Sequence, residues 1–300
     1  MGISSMLTGI ICGLLTAFLQ PVAYLLSRQF FVRGGRALEL TIYSQLIMGV
    51  ISAVLLLCCW PILSFDSALA SRTAWSVGTI LIAQVCYFLA IRVVEASRLS
   101  SMLGLKIIFL VLLNMLLFGE QLRLLHWLAV GMCAIAGLIM NQSGLKISLK
   151  ALAAIICCCF FLAASDIADY RLVIAIPVEN PVYRGILATG FCYAGLGLIS
   201  LPGLFFLRFD WQKCRSAIPY SCVWMAAMVV FYLSIGLLGT VFTSIIQSSR
   251  GLISVILGAL VAWLGYAGME SRASKAIWLS RLAAALLIMA AVAIFTSNPL

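Results

Sequence analysis

Two cations lie deep inside apolar stretches of this sequence, and their chemistry needs explaining first. Lys106 falls in the run 97–118 and Arg250 in the run 241–265, each eight or nine residues from its start. That is roughly 13 Å along a helix axis, too deep for easy snorkelling. Two fixed cations at similar depth attract an anion such as a carboxylate or phosphate. The competing structural reading pairs each with a buried acid or a backbone carbonyl that locks helix packing. Asp166 and Asp169 are spaced i, i+3 and share a helix face. They suit counter-charges to the basic pair, a proton-coupling site, a binder of a substrate amine, or a solvated helix end. Gln247 lies three residues before Arg250 and faces the same way. Gln20 precedes Pro21, whose ring frees a backbone carbonyl. Gln84 and Tyr87 complete the candidate binding set, Tyr87 as a ring on which cargo could stack. Gln45, Asn114, Tyr193, Tyr232, Ser248 and Ser249 are weaker candidates, since such groups often bond only a neighbouring helix.

Other chemistries find little support. His126 is the single histidine, which argues against a metal or triad role. Cys157, Cys158 and Cys159 are consecutive, so on a helix they point about 100° apart and make a poor metal cage. The cysteines read as small apolar packing residues. With nine acidic residues, mostly in connections, a cluster of nucleophile, base and acid is hard to assemble. An enzyme is therefore not expected, and no cofactor is implied.

The elements that carry these residues follow from composition. Of 300 residues, 64% are hydrophobic and 9% charged, against roughly 25% charged in a soluble domain. A membrane-crossing helix needs about 20 mostly apolar residues. Ten apolar runs account for nearly the whole chain: 3–26, 40–62, 74–94, 97–118, 123–141, 149–174, 183–207, 218–238, 241–265 and 275–296. The expected class is all-α and polytopic, with the lipid bilayer as solvent. The first run lacks a basic start and a small-residue cleavage site, so it reads as a membrane helix and not a signal peptide. The net charge of +10 comes from scattered residues without aromatic interleaving, which argues against nucleic acid. The connections on one side hold twelve Lys and Arg; the other side holds four, Arg72, Arg123, Arg171 and Arg184. Positive residues stay cytoplasmic, so both termini are expected on the non-cytoplasmic side.

The sequence also shows signs of duplication. A shift of 144 aligns Leu89 with Leu233, Ile91 with Ile235, Ser100 with Ser244, Val111 with Val255 and Lys106 with Arg250. Both stretches read as long helix, short polar elbow, long helix, charged turn. Five helices per half place the second half upside down relative to the first, an arrangement that favours alternating access around a midplane site. The expected halves are 1–144 and 145–300.

The stretch from Tyr87 to Met140 carries a Y-x-x-A-I-R-x-x-x-A-S elbow, a turn at Phe118-Gly119-Glu120 and the helix W-L-A-V-G-M-C-A-I-A-G from Trp127 to Gly137. It resembles the EamA-type signature of the drug/metabolite transporter superfamily. The second half departs from it, with Gly265-Tyr266 in place of Gly119-Glu120. The resemblance implies ten helices in two inverted five-helix repeats, with helices 1–4 and 6–9 around a central cavity. It also implies a secondary transporter of small organic metabolites in a bacterial inner membrane. Basic residues on the same two helices in phosphate-linked members favour a carboxylate- or phosphate-bearing cargo. Zwitterionic amino acids, amines or drugs are the runner-up; a non-transporting scaffold or flippase is the alternative of another class. A monomer is plausible and the oligomeric state stays open.

Overall fold

The computed structural model describes residues 3–59, 66–118, 147–265 and 274–297, with isolated residues between 125 and 139. Among these the chain is all-helical. In order, the helices are α1 (Ile3–Val32), α2 (Ala37–Cys58), α3 (Ser67–Ile91), α4 (Ala96–Met102), α5 (Lys106–Phe118), α6 (Leu149–Ala175), α7 (Pro181–Ser200), α8 (Trp211–Trp263) and α9 (Lys275–Ser297). Seven spans among the described residues are long and apolar enough to cross a membrane, and Ser249–Trp263 is a shorter apolar helix. The run 123–141 lies largely outside the described residues, with His126 and part of the Trp127–Gly137 motif, as do Gly119, Glu120 and Arg123.

The helices start where side chains can satisfy the exposed amides of a first turn. Asp66 accepts from Leu69 N–H at 2.7 Å, Asn180 from Val182 N–H at 2.9 Å, and Asp210 from Gln212 N–H at 2.9 Å. Ser148 does the same for α6, accepting from Ala151 N–H at 3.3 Å. Glu39 reaches back to Arg36 N–H at 2.8 Å. These caps explain why α3 and α8 begin about two turns before their apolar runs: hydrophobicity marks the lipid-facing length, whereas capping marks the hydrogen-bonded length.

One expected boundary is redrawn and another is kept. The run 97–118 is not one helix, because a 3₁₀ turn at Leu103–Leu105 separates α4 from α5 and makes Lys106 the first residue of α5. The expected break between the runs 218–238 and 241–265 falls at Gly239, whose φ 78° and ψ 172° are not helical and divide α8 into two arms. That conformation is essentially reserved for glycine.

The outward helix faces are apolar although they are exposed. On α1 the exposed face carries Leu7, Ile11, Leu14 and Phe18, while Thr16, Gln20 and Ser27 point inward and are buried. Apolar side chains outside and polar ones inside are what a bilayer selects, since lipid cannot satisfy a polar group. Inside, α1 packs against α8, α3 against α6, and α2 against α7. The α2–α7 crossing is tight at Gly49 and Gly197: a Cβ on Gly49 would lie 2.8 Å from the Gly197 Cα. Such close approach of small residues supplies van der Waals contact where hydrophobicity gives no drive between helices. Cys158, Cys159 and Cys192 are buried in the helix interfaces.

Candidate functional site

Lys106, Asp166 and Gln247 meet where α5, α6 and the second arm of α8 converge. The Lys106 ammonium donates to Asp166 Oδ2 at 2.6 Å and to Gln247 Oε1 at 3.1 Å. All three residues are at most 7% exposed. Asp166 therefore offsets the Lys106 charge directly, at the distance of a charge-assisted bond. The 3₁₀ turn matters here because it sets Lys106 at a helix start, aimed across at α6.

One turn beyond Gln247, Arg250 faces α1. Its Nη1 donates to Gln20 Oε1 at 2.8 Å and to the Tyr24 hydroxyl at 3.4 Å. The guanidinium carbon lies 5.9 Å from the Tyr24 ring centroid, within cation–π range. Arg250 is 4% exposed, and its Nε has no hydrogen-bond partner among the described residues. No acidic side chain there pairs with it. Lys106 and Arg250 thus differ: Lys106 is neutralised, whereas Arg250 rests on neutral groups.

An aromatic wall continues from Arg250. Tyr24 lies 4.9 Å from Tyr87 and 5.8 Å from Trp224, ring to ring, and Trp224 stacks on Tyr220 at 5.9 Å. The Tyr87 hydroxyl shares a 3.0 Å hydrogen bond with Ser27, and Trp224 Nε1 donates to the Tyr193 hydroxyl at 2.8 Å. Tyr87 therefore packs on the Tyr24 ring that lies against Arg250. Gln84 is farther off. Its amide oxygen accepts from the amide of Gln45, joining α3 to α2.

Asp169 belongs to a separate cluster. Ser76 and Tyr232 donate to its Oδ1, the latter at 2.7 Å, and Ser165 donates to Oδ2 at 3.1 Å. Asp166 and Asp169 share a helix face as expected, yet they serve different partners: one a cation, the other hydroxyls. Both are buried at α6, so neither is a solvated helix end.

Of the expected residues, the structure brings Lys106, Asp166 and Gln247 together across α5, α6 and α8, and Arg250 and Gln20 together across α8 and α1. Tyr24, Tyr220 and Trp224 border the Arg250 group, and Ser76 belongs to the Asp169 cluster, none of them having been singled out as site residues. Tyr24 carried a readable signal, being i+4 from Gln20 on the same face; Ser76 carried none.

No protein-family model matches this sequence, and no curated protein does. Among solved structures, a crystal structure of another protein superposes with a TM-score of 0.62, covering 98% of this chain and 96% of its own, at 16% identity. At that identity the likeness extends to the fold alone: the chain shares a full-length helical architecture with a protein of very different sequence.

Proposed function

We propose that the chain is a secondary carrier of a small organic anion, of the drug/metabolite transporter type and not an enzyme. In this reading ten helices form two inverted halves, 1–144 and 145–300, in a bacterial inner membrane with both termini outside the cytoplasm. The packing supports the inversion. Exchanging α1 with α6, α2 with α7 and α3 with the first arm of α8 maps the contacts α1–α8, α3–α6, α2–α7, α2–α8 and α3–α7 onto one another. The polar pairs obey the same exchange. Lys106 of α5 bonds Asp166 of α6, and Arg250 of α8 bonds Gln20 of α1. The cations are related by the shift of 144 that the sequence suggested, and their partners fall in corresponding helices.

The observation that carries the cargo assignment is Arg250. A buried guanidinium without a counter-charge is costly in a membrane interior. An anionic group on the cargo supplies the missing charge and a partner for Nε. Gln20, Tyr24 and Gln247 orient that group, and Tyr87 backs the Tyr24 ring. Lys106, held by Asp166, becomes a second anchor only if that ion pair opens. In alternating access the anion replaces Gln20 on Arg250 from one side and is released to the other.

Ligand stabilisation of the purified protein tests the assignment. A ligand selective for the native state, at a hundred times its Kd, raises unfolding free energy by about 2.7 kcal/mol. Small carboxylates and phosphate monoesters are expected to raise Tm in the wild type and not in Arg250→Ala. Stabilisation by amines instead, independent of Arg250, overturns the anion assignment.

A further inference from the structure

Asp169 is a buried carboxylate, 2% exposed, that no basic side chain among the described residues contacts. Its surroundings come from every helix packed around it. On α3 the Ser76 hydroxyl donates to Oδ1. On α8 the Tyr232 hydroxyl donates to the same oxygen. On α6 Ser165 donates to Oδ2, while Asp166 lies one turn back, paired with Lys106 of α5, and Arg171 two residues on. On α7 the Cys192 thiol lies 3.1 Å from the Ser76 hydroxyl, and Tyr193 is next in the chain, bonded to Trp224.

An ionised carboxylate removed from water needs a cation or several strong donors. Here the donors are hydroxyls, and hydroxyls reverse. Ser, Thr and Tyr side chains each carry one donor and spare lone pairs, so the cage can serve a carboxylate or a carboxylic acid. A lysine or arginine partner would permit only the charged form. The two oxygens are also unequal: Oδ1 has two donors and Oδ2 one. A proton arriving on Oδ2 forms one O–H bond, and Ser165 turns from donor to acceptor. Ser76 has alternative acceptors already in range, Cys192 Sγ at 3.1 Å and the Tyr232 oxygen at 3.3 Å. Its hydroxyl hydrogen can leave Asp169 without being stranded.

Resting on the carrier reading above, we infer that Asp169 is the proton-binding site of this protein and the proton its coupling ion. The cage ties α6 to α3 and to the first arm of α8. Proton occupancy changes the strength of the Ser76 and Tyr232 bonds, and with them how firmly those helices are held together. Asp166 does not fill this role, because one of its oxygens is taken up by direct contact with the Lys106 ammonium.

Infrared spectroscopy of the purified protein with isotope-labelled aspartate tests this without any cargo. A protonated-carboxyl band is expected to rise and fall reversibly with pH and to vanish in Asp169→Asn. A wild type with no titrating band over the pH range in which the protein stays folded, or a band that survives in Asp169→Asn, overturns the inference. Should Asp169→Asn fail to fold, Tyr232→Phe serves instead: it removes one donor and must change the pH at which the band appears. An unchanged titration overturns the inference equally. The outcome is separable from that of the carrier reading. Solute flux with an untitrated Asp169 sinks only the proton site. A titrating Asp169 in a protein without flux sinks the carrier reading and leaves the proton site without a coupling role.

Discussion

Breaking the Lys106–Asp166 pair from either side should be costly, and breaking both sides together should not be. The pair is 2.6 Å long, with side chains 9% and 7% exposed. Asp166→Asn leaves the ammonium with amide oxygens alone; Lys106→Met leaves the carboxylate with no cation. Removing one member of a buried ion pair costs about 3–5 kcal/mol, because the survivor is a bare charge. If the two residues acted independently, the double variant would lose about 6–10 kcal/mol, enough to unfold most domains. If they are one pair, Lys106→Met/Asp166→Asn leaves no bare charge and costs no more than either single change. The coupling energy is then at least about 3 kcal/mol. Reversible unfolding in bicelles, measured on all four proteins of the cycle, reads this number. Additive losses would refute the pairing, and with it the argument that Arg250 and not Lys106 is the cation without a counter-charge.

Three further predictions concern the scaffold. Gly239→Ala adds a Cβ that meets nothing within 4 Å, so its expected loss of about 1–3 kcal/mol in unfolding free energy comes from backbone conformation alone. Gly49→Ala presses on the Gly197 backbone, which cannot yield as a side chain would; a loss of about 1–3 kcal/mol is expected in the same assay. Lys213 bonds Glu39 at 2.7 Å, but its side chain is 34% exposed, so Lys213→Met should change unfolding by less than about 1 kcal/mol.

Much of the helix layout was legible in the sequence, because a bilayer imposes a length and a hydrophobicity on each crossing. The break at Gly239 was legible too, at the Gly236, Gly239 and Thr240 interruption. The 3₁₀ turn at Leu103–Leu105 was not: its residues are as apolar as their neighbours, and hydropathy is blind to hydrogen-bond register. Depth and residue type picked out Lys106 and Arg250, since charge within an apolar run is rare. Their partners were less accessible. Lys106 and Asp166 are 60 residues apart and Arg250 and Gln20 are 230 apart, so no local spacing links them. The division of labour between Asp166 and Asp169 was hidden for the same reason. Their common face is set by α6, but their partners come from α5, α3 and α8.

In the proposed carrier, Arg250 anchors the anion that crosses the membrane. Counterflow in proteoliposomes tests it most directly. Vesicles are loaded with an unlabelled panel of small carboxylates and phosphate monoesters, and entry of each labelled counterpart is followed in turn. The account predicts exchange of at least one anion by the wild type, its loss by 10²-fold or more (about 2.7 kcal/mol or more) in Arg250→Ala, and partial retention in Arg250→Lys. Anion exchange at the wild-type rate in Arg250→Ala, or no exchange of any anion by the wild type, would contradict it.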